Sequence, residues 1–128
     1  MADRIQTVQQ LYSAFGDGDV ARLQELLADT HWIEAEGMPY GGTYRGFDEV
    51  AANVFGPIAN DVREFSARPE EIIPAGDDPV LALGTYRGSG SAAEVAAPFA
   101  HLWTVHDGRL VNFVQYADTH LFRQAIGA

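Results

Sequence analysis

Cysteine is absent from the 128-residue sequence, which excludes disulfides, thiolate metal ligands and a cysteine nucleophile and leaves stability to packing. Basic residues are few, 8 Lys and Arg against 18 Asp and Glu, for a formal net charge of -10. Phosphate backbones and anionic lipid surfaces are recognised by clustered Lys and Arg, so neither nucleic acid nor a membrane is an expected partner. No apolar run approaches the roughly 20 residues of a membrane-spanning helix. The opening Met-Ala-Asp-Arg lacks the positive region and apolar stretch of a secretion signal, and a cytoplasmic location is expected. No G-x-S-x-G elbow occurs. The glycines at 41–42 and 88–90 do not open a helix after a strand as a phosphate loop does. His31, His106 and His120 are spread over different elements without metal-ligand spacing. Neither metal nor cofactor is expected.

What is present is globular: 47% hydrophobic and 11% aromatic residues, enough to close one core in a single domain over residues 1–128. Ile5, Val8, Leu11, Tyr12 and Phe15 recur at helical spacing up to Gly16-Asp17-Gly18. Asp19 caps a second helix whose Val20, Leu23, Leu26 and Leu27 share a face. Trp32, Ile33 and Ala35, alternating with Glu34 and Glu36, make a strand ending at Gly37, followed by a loop from Met38 to Gly42 that Tyr44 closes. A third helix from Asp48 carries Val50, Ala51, Val54, Phe55 and Ile58, with Gly56-Pro57 expected to kink or end it. Strands follow near 62–73, 80–87, 94–106 and 109–117, and a short helix over 119–126. Helices first and an antiparallel meander after them make an α+β fold, in which a strongly curved sheet wraps three N-terminal helices.

The stretch Phe99 to Asp118 carries the most information. Phe99, His101, Trp103 and Val105 share one face of the first strand, and Val111, Phe113, Gln115 and Ala117 share one face of the second. A three-residue loop with left-handed Gly108 places the two sets together, with His101 near Gln115; a two-residue turn separates them. The first register collects the larger apolar groups and is preferred.

With VQQLYSAFGDGDVARLQELLAD, HWIEAEG followed by GGTYRGFDEV, and AHLWTVHDGRLVNFVQYADTH, the chain resembles the nuclear transport factor 2-like superfamily and, within it, the SnoaL-like group related to ketosteroid isomerase and limonene epoxide hydrolase. The resemblance implies a cone-shaped α+β barrel, a pocket between sheet and helices, and a homodimer. It also implies an acidic residue seven positions after the glycine of the last turn, where this chain has Gln115. The oxyanion-hole acid of isomerase relatives falls at His101, their tyrosine at Leu11 beside Tyr12, and their general base at Ala35 between Glu34 and Glu36. An amide cannot shuttle a proton at neutral pH, so the cyclase and hydrolase mechanisms do not transfer to Gln115 unchanged.

The catalytic candidates are therefore His101 and Glu34. His101 near its ordinary pKa serves acid or base work, or else is a satisfied core histidine. Glu34 among aromatics is a raised-pKa base, or a solvated residue at a strand end. Trp32, Tyr44, Phe55, Phe99, Trp103 and Phe113 are divided between lining a pocket and filling the core, and Gln115 is the polar group expected to orient a ligand. Asp118 suits a helix cap better than a site. The functional expectation is a cofactor-free isomerase or cyclase acting on a small hydrophobic carbonyl compound; the alternatives are a non-catalytic binder of such a molecule and a dimeric assembly module.

Overall fold

The computed structural model describes residues 3–128. Asp3 caps helix α1 (Arg4–Asp17) in a reciprocal box with Gln6, and Gly18, left-handed at φ 68, ends it. Asp19 caps α2 (Val20–Leu26) through the Arg22 amide. Leu23, Leu26 and Leu27 are buried as their spacing predicts, whereas Val20 stands 53% exposed at the border of an open groove.

Strand β1 (His31–Glu34) stops three residues short of Gly37, because the chain turns back at once: the Met38 amide bonds the Ala35 carbonyl at 2.9 Å. Glu36 is consequently exposed and does not continue the face of Trp32 and Glu34. The segment expected to be only a loop closure is a second strand, β2 (Gly42–Arg45), antiparallel to β1. Four residues entered through paired glycines are too few to show a period.

The third helical stretch begins at Gly46 and runs as α3 (Gly46–Val50), a π-helical turn (Ala51–Phe55) and α4 (Gly56–Asp61). Gly56-Pro57 neither ends nor breaks it. The wide turn lets the Gly56 amide reach the Ala51 carbonyl, and Pro57 then falls in the first turn of α4, where a missing N–H costs least.

Strands β3 (Arg63–Pro74), β4 (Pro79–Ser89), β5 (Glu94–His106) and β6 (Arg109–Ala117) complete a six-stranded curved sheet of order β2-β1-β6-β5-β4-β3. All neighbours are antiparallel except β1 and β6, which run parallel. Helix α1 crosses the inner face, α5 (Thr119–Ile126) packs on β5, and Asp118 caps α5 through the Leu121 amide. Among the described residues no helix is long and apolar enough to cross a membrane.

The curvature comes from irregularities in register, one of them between Pro69 and Glu71 on β3. Gly84 lies opposite that shift, where an added Cβ would stand 2.5 Å from the Arg68 carbonyl oxygen and 2.7 Å from the Phe99 ring. Gly84→Ala is expected to cost about 1–3 kcal/mol, read as a lower urea midpoint at unchanged slope, because backbone must move to admit the methyl.

The β5–β6 connection differs from its expected form. Asp107 and Gly108 both have positive φ, 51 and 73, and His106 pairs with Arg109 across a two-residue turn. A register shift between Thr104 and Val105 then restores the pairing of His101 with Gln115 and of Trp103 with Phe113. Two errors of one residue cancel, and the price falls on Val111. Leu110 takes the buried inward position assigned to it, at 1% exposure.

Candidate functional site

Between α1, the α3–α4 segment and the inner sheet face lies a cavity with about 40 Å³ of room for the centres of water-sized molecules. Its wall is apolar, with Trp32, Phe55, Trp103 and Phe113 among the lining residues, and Glu34, His101 and Gln115 enter it as polar groups. Phe99 and Tyr44 do not line it. Phe99 backs the site by stacking on Tyr86 at 4.5 Å and on His101 at 4.1 Å. The Tyr44 hydroxyl instead donates to the carbonyls of Tyr40 and Gly41 and fixes the turn before β2.

Two tyrosines that sequence reasoning did not single out complete the polar side. Trp103 Nε1 donates to Tyr12 Oη at 2.9 Å, and Tyr12 Oη shares a 2.5 Å hydrogen bond with His101 Nδ1. His101 Nε2 shares another with Tyr86 Oη at 2.5 Å. Gln115 Nε2 donates to Tyr86 Oη at 2.8 Å, and Gln115 Oε1 accepts the Ala35 amide at 2.9 Å. The last contact continues the parallel β1–β6 pairing past the end of β1. It also shows why an amide suits this position: a carboxylate could accept from Ala35 but could not donate to Tyr86.

Burial pushes the His101 imidazole down to about 3, far from the range expected of an exposed histidine. It is neutral at physiological pH and has one N–H. Two phenol protons and one imidazole proton therefore serve two links, so in either tautomer one phenol O–H points out of the chain. With Nδ1 protonated that group is Tyr12; with Nε2 protonated it is Tyr86. Burial raises both phenols, so each remains a protonated donor.

Glu34, 1% exposed, faces inward beside Trp32. Trp32 Nε1 donates to its Oε1 at 2.9 Å, while Oε2 is buried without a partner among the described residues. Burial drives the carboxyl up to about 7, against a partial offset from the Trp32 indole and the nearby Gln115 amide. A buried carboxyl with one free oxygen and a pKa near neutrality is equipped to take and return a proton. Among the described residues no three His, Asp or Glu side chains stand together as a metal site requires.

The signal for Glu34 was its period-two spacing from Trp32. Tyr12 was recognisable as a polar group on the apolar face of α1, one residue from where the isomerase tyrosine falls. For Tyr86, no local pattern distinguishes a phenol aimed at a histidine from one packed in the core.

No curated protein matches this chain. Among solved structures, a nuclear transport factor 2-like protein from Burkholderia thailandensis is 32% identical over 98% of both chains, with TM-score 0.90. TerC, co-crystallised with polyporic acid, is 26% identical over 97% of this chain and 98% of its own, with TM-score 0.84. A protein of cystatin-like fold from Xanthomonas campestris, 21% identical over 98% of both chains at TM-score 0.76, shares the fold. The model of the SnoaL-like domain matches residues 8–113, from α1 through Phe113 beside the cavity. That span holds Tyr12, Tyr86, His101 and Trp103 of the polar network, stopping two residues before Gln115, and the strand that carries Glu34, and by it the chain belongs to the SnoaL-like domain family.

Proposed function

We propose that the cavity binds the carbonyl group of a small, largely apolar compound and that Glu34 moves a proton on the carbon skeleton beside it. The carrying observation is the unpartnered Oε2 of Glu34, buried in an aromatic cavity with its carboxyl raised to about 7. At neutral pH such a group is divided between base and acid forms, the condition under which proton transfer in both directions is efficient. The outward phenol proton of Tyr12 or Tyr86 supplies a hydrogen bond to a carbonyl oxygen, strongest as that oxygen gains charge. For a β,γ-unsaturated ketone the Glu34 carboxylate takes a proton from the carbon between carbonyl and alkene. The electron pair moves into a dienolate, and the carboxylic acid returns the proton at the γ-carbon.

In this reading His101 does not exchange the proton. It is a neutral spacer that holds two phenols in line, and Gln115 fixes the second of them. TerC, crystallised with polyporic acid, supports an organic ligand for a chain of this fold.

Conversion of cyclohex-3-enone to its conjugated isomer, followed by ultraviolet absorbance, tests the proposal. Turnover above buffer that falls at least about a hundredfold in Glu34→Gln is the expected outcome. A second reading, ligand binding without turnover, is favoured by Gln115, an amide that cannot shuttle a proton, at the position where the resemblance implies an acid. Saturable ketone binding with no isomerisation would establish that reading and remove the first.

A further inference from the structure

The inner cavity is too small to be a whole binding site. Its roughly 40 Å³ accommodates a few waters' worth of atoms. A second, open groove of about 710 Å³ begins on the other side of Phe15, Phe55, Ile58 and Phe65, residues that line both spaces. Phe15 packs against Phe55 at 5.1 Å and against Phe65 at 6.2 Å, so the three rings form the partition. Two of them sit on irregular backbone. Phe55 ends the π-helical turn, and Phe65 follows Glu64, a non-glycine residue at φ 54, inside the register shift between Arg63 and Ser66. Backbone departures of this kind cluster at functional sites and ligand clamps. Beyond the partition the groove continues over Val20, Leu23 and Phe47, and it accounts for the exposure of Val20.

We infer that groove and cavity are one site, taking an elongated, uncharged compound whose carbonyl head enters the cavity and whose apolar tail lies in the groove. The inference rests on the proposed function for the head alone. Continuity through shared walls identifies the tail as part of the same ligand, and the net charge of -10 disfavours an anionic tail. Entry of the head parts the Phe15–Phe55–Phe65 cluster.

Both tryptophans of the chain, Trp32 and Trp103, line the inner cavity, so their fluorescence reports occupancy by the head. Titration with straight-chain methyl ketones from butan-2-one to dodecan-2-one is expected to show affinity rising about two- to fourfold per methylene, then levelling off as the chain outruns the groove. In Val20→Asp and Phe47→Ser that rise should flatten, with light scattering confirming an unchanged oligomeric mass. Saturable quenching by short ketones without any gain from chain length overturns this inference and leaves the head site standing. No quenching by any ketone overturns both. A changed oligomeric mass in Val20→Asp, with the chain-length gain intact, assigns the groove to a second copy of the chain and likewise overturns the inference.

Discussion

A His101→Gln variant is expected to keep about 5 kcal/mol of stability that the natural protein loses between pH 6.5 and pH 3. Burial lowers the folded-state pKa of His101 to about 3, whereas in the unfolded chain it titrates near 6.5. Above pH 6.5 the imidazole is neutral in both states and pH has no leverage through it. As pH falls, the unfolded chain takes up the proton and the folded protein does not, so unfolding is favoured at about 1.4 kcal/mol per pH unit until the folded pKa is reached. Glutamine carries no charge at any pH, yet still offers one donor and one acceptor to Tyr12 and Tyr86. Its midpoint at neutral pH should be lower, since an amide does not fill the ring's place between Phe99 and Phe113. The test is therefore the difference in urea-derived stability between pH 7 and pH 3 within each protein. Equal acid losses in both would show that the imidazole charges in place, and the tyrosine network would then hold a cation.

How this site came to be partly legible follows from which contacts are local. His101 and Gln115 are opposed across a hairpin, and a period of two on each arm nearly suffices to say so. Even there the turn was assigned the wrong length, and only the compensating shift at Thr104 and Val105 preserved the pairing. Glu34 was visible because it follows Trp32 by two residues on one strand. Its burial was not, since that depends on β1 lying parallel beside β6, a pairing between segments about 80 positions apart that no local pattern announces. Tyr12 and Tyr86 approach His101 from a helix and from β4, respectively, over separations of 89 and 15 residues. An aromatic residue on an apolar face reads as core until the partner of its hydroxyl is known.

The same locality explains the helical segments. Asp3, Asp19 and Asp118 each act within three residues of themselves, and Asp19 and Asp118 were readable as caps. The π-helical turn before Gly56-Pro57 was not, because a proline offers two outcomes, breaking the helix or widening the turn before it, and packing selects between them.

Glu34→Gln is expected to stabilise the folded protein by roughly 3 kcal/mol at pH 8 while leaving it no more stable at pH 4.5, with activity lost at both. The sign is opposite to that of His101. Below pH 4.5 the carboxyl is protonated in folded and unfolded states alike, and contributes no pH dependence. Between 4.5 and about 7 the unfolded chain ionises while the buried group resists, so stability falls as pH rises. Above about 7 the folded protein carries the full cost of a buried carboxylate whose Oε2 has no partner among the described residues. Glutamine removes that cost but leaves an amide N–H unpaired, which is why the gain should vanish at acid pH. Urea midpoints of the two proteins would therefore diverge from pH 4.5 to about 7 and hold a constant gap above it. Parallel midpoints would mean that the carboxylate is paired or solvated in the folded protein, and Glu34 would then lose its assignment as the base. A divergence would identify a charge that the fold bears at a loss beside the phenols of an aromatic cavity, as the proposed proton transfer requires.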